Sequence, residues 1–339
     1  MTWLDVARGG CVLLVVFHHL VRQQVSEARG VWEIVGLNWM VVDDYLEPIR
    51  IPLFFAISGI LASSRVFGPL VRARSRIVIP LYLYFLWSVL LASRDFIPGT
   101  ANDSFKGSAL SFLADVFLVC SGYWYLFSLP LYFILARVTA NINVLLVLCV
   151  LLVPYMLREH VEYFANEVAS DFTDSSSLLG SVCANMVFFV AGVRLRGKIL
   201  ISVSVIKVPV ALFGFALYFS LVFLAHVSGS QVLVLCASVI GILVTANLAM
   251  RFGRSRSSRG LQVLGSRTLP VYVLQFFFVS ILAYVWGKYS VSISNWPRMI
   301  AVMYAPVAAI LIALTSSYIY VLAGRMGLGL LFAPPKRWT

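Results

Sequence analysis

The chain has 339 residues, of which 61% are hydrophobic and only 12% charged, too little polar surface to cover an ordinary water-soluble domain. Its formal net charge of +12 would suit a nucleic-acid partner, but the basic residues lie in short stretches between apolar segments, where membrane topology already accounts for them. No nucleic acid is therefore expected; the expected solvent is membrane lipid.

Apolar stretches occur at 3–22, 48–66, 77–94, 124–138, 141–157, 178–195, 199–224, 230–250, 264–287 and 300–322. Most approach the roughly 20 residues that a helix needs to cross hydrocarbon, and the short stretch 124–138 can begin earlier, near Leu110. With the N-terminus inside, Arg65 to Arg76, Arg137, Arg194 to Lys198 and Arg251 to Arg267 fall in cytoplasmic loops, with Arg325, Lys336 and Arg337 in the tail. Every acidic residue except Asp5 then falls on the other side. The expectation is an all-α integral membrane protein of the plasma (inner) membrane. It is a multi-pass bundle of about ten transmembrane helices, N-in and C-in, with 1–339 as one transmembrane domain. Met1 opens almost directly into the first span without a basic leader or a small-residue cleavage site, so no removable signal peptide is expected.

The first span carries Asp5, Arg8, His18 and His19. Eleven steps of about 100° return Arg8 and His19 to nearly the same helix face, roughly 16 Å apart along the axis. Ionisable groups inside a span are costly and usually face a polar cavity, which makes this pair a candidate site. Asp5, one turn before Arg8, can pair with it. The plainer alternative is that Asp5, Arg8 and His19 snorkel at the helix ends. His18 lies about 100° away from His19 and is read as a packing or interface residue.

The second span opens with Pro48 and Pro52 in its first turns and carries Ser58-Gly59, a small surface for close helix approach. Arg50 is placed at its outer end, level with His19, either as an interface anchor or as a group that binds an acceptor. Arg72, Arg74 and Arg76 precede the third span. Guanidinium groups bind phosphates in forked geometry, so this cluster could hold a phosphorylated donor, although positive-inside topology explains it equally. Trp124 and Tyr125 begin the fourth span and, with Tyr272 and Gln275 in the ninth, complete the candidate set lining an acceptor site or cavity. Belt residues are the ordinary role for Trp and Tyr at span ends, whereas a glutamine in a membrane helix needs a partner. His160 and His226 are read as surface residues. Cys11, Cys120, Cys149, Cys183 and Cys236 stand singly, without metal-ligand or redox spacing, so no metal site is expected.

Together these stretches resemble the acyltransferase 3 family of integral-membrane O-acyltransferases. The likeness is carried by Asp5, Arg8, Gly9 and His19 in an Asp-x-x-Arg-Gly start with Arg-x10-His, and by Pro52 to Gly59. It is carried too by Arg76 and Pro80, and by Trp124 to Leu126. The late Tyr-x-x-His element is partial, because Gln275 stands where many members have histidine. The resemblance implies transfer of an acyl group, commonly acetyl from cytoplasmic acetyl-CoA, to a hydroxyl of a glycan or other cell-envelope acceptor. Acyl-CoA is then a co-substrate, with no cofactor bound, and the acceptor a carbohydrate or lipid-linked molecule. It gives His19 the role of general base, with Asp5 and Arg8 beside it in the catalytic set, or else of a transiently acylated nucleophile. Arg76, Arg74 and Arg72 become donor-binding residues.

Two non-enzymatic classes compete: a transporter or flippase for a lipid-linked sugar or small solute, and a family member that only scaffolds glycan assembly. No pair of Gly/Pro-broken spans stands at matching positions in two halves, as an inverted-repeat transporter would show. Small-residue faces serve packing within a bundle as well as between bundles, so they leave the oligomeric state open.

Overall fold

A computed structural model describes residues 2–93, 109–170, 176–294 and 296–335. All regular structure among them is helical. In chain order the helices are α1 (Thr2–Glu27), α2 (Val31–Val66), α3 (Leu70–Ser93), α4 (Ala109–Phe117), α5 (Trp124–Val138), α6 (Val144–Met156) and α7 (Arg158–Ser170). The second half of the chain adds α8 (Leu179–Arg194), α9 (Arg196–Val205), α10 (Val208–Ser228), α11 (Gln231–Phe252), α12 (Arg259–Ser266), α13 (Thr268–Ser294) and α14 (Arg298–Arg325). Seven of these helices are long and apolar enough to cross a membrane, or eight if α6 and α7, bent by 52° just after Pro154, form one span. The helices α5 and α8 are apolar but shorter. The apolar stretches lie on helices, with 199–224 divided between α9 and α10 and 264–287 between α12 and α13, and the chain is an all-helical, multi-pass membrane protein.

Two of the segments between the apolar stretches are largely helical. Most of 23–47 is helix: α2 begins at Val31 and runs for 36 residues, so Pro48 and Pro52 lie in its interior and not in a first turn. Much of 158–177 is α7. The acidic residues Asp95, Asp103, Asp171 and Asp174, and the basic Lys336 and Arg337, lie outside the described residues.

By internal packing the chain divides into two compact units, Met1–Phe54 with Ile199–Arg325, and Phe55–Lys198 with Met326–Thr339. In the first unit, α1 is the central element. Val12, Val16 and Leu20 are fully buried on it and meet Val271 of α13 and Ala305, Ala309 and Ala313 of α14. Alanines at four-residue spacing make a shallow stripe on α14, against which larger side chains of α1 can pack. The N-terminal half of α1 is gripped more closely still by the short α12. A Cβ on Gly9 would collide with the Leu261 carbonyl, and one on Gly265 with the carbonyl of Asp5. Glycine at both positions lets the two backbones touch, and the contact fixes where Asp5 and Arg8 stand.

At the far end of α1, Trp32 of α2, Trp286 of α13 and Tyr304 of α14 pack edge to face around Ala301. Gln24 donates to the carbonyls of Trp32 and Ala301 beneath them. Pro48 and Pro52 each remove a backbone donor from α2. Nearby, Tyr218 of α10 donates its hydroxyl to the Tyr45 carbonyl, while Gly241 of α11 admits Ile49 and the Tyr218 ring at close range. Leu212, Phe213 and Phe223 on α10 stay exposed, as a surface facing hydrocarbon should.

The second unit repeats the glycine device. Gly59 of α2 and Gly192 of α8 each abut the other helix's backbone, at the carbonyls of Phe189 and Ala56. The Phe55 ring is surrounded by Trp124, Tyr125 and Tyr132. Arginines close two helix ends: Arg137 donates to the carbonyls of Val66 and Gly68, and Arg194 to those of Thr139 and Ile142. Both satisfy backbone acceptors that a helix C-terminus leaves open.

Candidate active site

The first unit brings Asp5, Arg8, His19, Arg50, Tyr272 and Gln275 into one packed body. Because α1 is continuous from Thr2 to Glu27, the helical register that aligns Arg8 with His19 is maintained. Both side chains face α13. Arg8 Nη2 donates to Thr268 Oγ1 at 2.7 Å, and the His19 ring packs against Phe276 with centroids 4.8 Å apart. Thr268 opens α13 and is buried. Arg8 also lies 3.8 Å from Asp5 Oδ1, the one-turn ion pair expected from their spacing, with both side chains partly exposed.

His18 is not a packing residue. One step of the helix turns it away from α13 and toward α2, where Asp43 Oδ2 lies 2.6 Å from its Nδ1. The second oxygen of Asp43 pairs with Arg50 Nη1, and Arg50 Nη2 lies 3.3 Å from the same His18 nitrogen. Asp43 and Arg50 are 1% and 3% exposed. Arg50 is therefore no interface anchor: its two terminal nitrogens face Asp43 and His18, while its buried Nε has no hydrogen-bond partner among the described residues. Just beyond, Arg22 pairs with Asp44 at 3.2 Å. The His18 and His19 rings meet at a centroid distance of 5.1 Å. Sequence reasoning missed Asp43 as part of the site, although a signal existed: Asp43 and Arg50 are seven apart, two turns that return to the same helix face within about 20°.

Tyr272 is buried and meets Phe276 edge to face at 6.1 Å. One turn along α13 from Tyr272, the side chain of Gln275 is fully buried, and neither its amide oxygen nor its nitrogen has a hydrogen-bond partner among the described residues. An unsatisfied buried amide is uncommon and calls for an explanation such as an unfilled binding role. His226, on α10, is an exposed surface residue as expected, and its ring stacks on Tyr45 at 5.5 Å.

The remaining candidates belong to the second unit. Ser58 Oγ and the Tyr125 hydroxyl share a hydrogen bond of 2.8 Å, and Trp124 and Tyr125 flank Phe55. The three arginines of α3 lie within the helix and not in a preceding loop. There Arg74 is about 200° around the axis from Arg76, so the run does not form one cationic face. Arg74 is exposed, whereas Arg76 is half-buried.

The chain matches an acyltransferase domain over residues 1–320. It is similar to the inner membrane protein YcfT of Escherichia coli (strain K12), with 24% identity over 367 residues that cover 98% of this chain and 96% of that protein. No solved structure matches. With the aligned Arg8 and His19 set in a multi-pass helical body, and the match extending over nearly its whole length, this chain belongs to the acyltransferase 3 family.

Proposed function

We propose that the protein is an inner-membrane O-acyltransferase that moves an acetyl or other short acyl group from cytoplasmic acyl-CoA to a hydroxyl of a glycan or other cell-envelope acceptor. The observation that carries this reading is that Arg8 and His19 both face α13 from one unbroken helix in a chain of an acyltransferase family. YcfT is named as an inner membrane protein, and the same location is proposed here. Taking α6 with α7 as one span and adding the shorter α5 and α8 to the long helices gives about ten crossings, with both termini cytoplasmic by the distribution of arginine.

His19 is the general base in this reading. Its imidazole removes the acceptor hydroxyl proton, the freed oxygen attacks the thioester carbonyl carbon, the carbon–sulfur bond breaks, and coenzyme A leaves. Imidazole suits the task because its ordinary pKa lies near neutrality. Asp5 and Arg8 belong to the catalytic set, Arg8 being held in place from both sides by Asp5 and Thr268. Arg76, Arg74 and Arg72 are assigned the donor's phosphates on charge and residue type. Contacts to the acceptor are assigned residue by residue to Arg50, Tyr272 and Gln275 in the first unit and to Ser58, Trp124 and Tyr125 in the second. For Gln275 the unpartnered amide supports the role.

The test is transfer of label from radiolabelled acetyl-CoA into cell-envelope material by membranes carrying wild type or His19→Ala. Label that depends on His19, with both proteins inserted equally, is the expected outcome and identifies the acceptor by where it lands. Equal labelling would remove His19 from the mechanism.

A further inference from the structure

The imidazolium formed at His19 would have no anionic partner of its own. No hydrogen bond to the His19 ring is found among the described residues, and the rings of Phe276 and His18 pack against it. A lone cation in such surroundings is costly, so a base placed there benefits from a second group to which the proton can move. That group stands beside it. His18 meets the His19 ring at 5.1 Å and has, on its other side, the buried carboxylate of Asp43.

The contacts define a protonation state. Asp43, paired with Arg50, is anionic and only accepts, so the 2.6 Å contact places a proton on His18 Nδ1. Arg50 Nη2, 3.3 Å from that nitrogen, is then a neighbour and not its donor. With Nδ1–H directed at Asp43, Nε2 of His18 carries the free lone pair, the arrangement in which a carboxylate orients an imidazole and stabilises its cation. The charged and titratable groups around His18 are His19 on α1, Asp43 and Arg50 on α2, and, further out, the Arg22–Asp44 pair, Glu47, and His226 of α10. Asp43 is the one anion among them in contact with the ring.

We propose that His18, oriented by Asp43 and Arg50, is the second station of a two-histidine proton relay. This rests on the acyl-transfer reading and deepens it. The acceptor hydroxyl gives its proton to one nitrogen of His19 while its oxygen forms the new ester bond. The other nitrogen of His19 passes a proton to His18 Nε2, where Asp43 stabilises the resulting cation. The carbon–sulfur bond breaks, and the proton returns through His19 to the departing thiolate. One proton has moved from hydroxyl to thiol, and both histidines end neutral.

The test compares wild type, His18→Gln and Asp43→Asn in the labelled-acetyl assay across pH, with donor and acceptor varied separately. His18→Gln is the cleaner variant, since it leaves the buried Asp43–Arg50 pair intact and offers Asp43 an amide donor. The expected result for His18→Gln is a fall in kcat of about tenfold to hundredfold with KM for both substrates little changed, the signature of an interaction used in proton transfer and not in binding. Asp43→Asn, which withdraws the carboxylate that orients His18 Nδ1, is expected to lower kcat in the same way, with KM for both substrates little changed. A kcat and pH profile unchanged in inserted His18→Gln protein, or a loss confined to KM, overturns the relay. Failure of the acyl-transfer reading is distinguishable, because wild type would then transfer no label.

Discussion

Two carboxylate–arginine pairs stand at opposite ends of the same helix, and they are built differently. Asp5 and Arg8 belong to α1 itself, 3.8 Å apart, with a quarter or more of each side chain open. Asp43 and Arg50 belong to α2, meet His18 of α1, and are almost wholly enclosed. The first pair is a local consequence of one-turn spacing, adjustable and partly solvated. The second exists only because α2 continues through a stretch that reads as a polar loop. Attraction between ions grows as water is excluded, but so does the penalty of leaving either ion alone. The open pair can lose a member cheaply; the enclosed one cannot.

Substitutions sharpen the contrast. Asp43→Ala leaves Arg50 buried without its counter-charge and is expected to cost about 3–5 kcal/mol, read as a large fall in the thermal midpoint of the detergent-solubilised protein. Gly265→Ala, which forces a methyl onto the backbone of Asp5, is expected to cost about 1–3 kcal/mol on the same scale by prising α12 from α1. Asp5→Ala, at the open pair, is expected to lower stability by no more than about 1 kcal/mol, and any loss of transfer it causes belongs to function and not to folding. A reversal of order between Asp43→Ala and Asp5→Ala would show that enclosure does not govern these pairs.

Much of this molecule can be read before folding it. Arg8 and His19 share a face because the helical repeat is a property of the backbone, and the apolar stretches fall on helices because lipid permits little else. The shift from Arg8 toward α13 and from His18 toward α2 is different in kind. It depends on which helices become neighbours, and a histidine next to another histidine gives no hint of it. The long α2 was hidden because Glu33, Asp43, Asp44 and Glu47 make its first half look water-facing, and because Pro48 resembles a helix start. Tertiary burial overrode both signals. Likewise the faces on which Arg72, Arg74 and Arg76 stand follow from how far α3 extends: with all three inside the helix, Arg74 lies about 200° around the axis from Arg76.

The enclosed pair also limits how this chain can drift. A lineage that changes residue 43 or residue 50 alone passes through an intermediate with one bare charge in a dry interior, whereas a change of both to apolar residues of similar volume can be tolerated. Positions 43 and 50 are therefore expected to change together more readily than singly, and a descendant that has neutralised both has lost the carboxylate that orients His18.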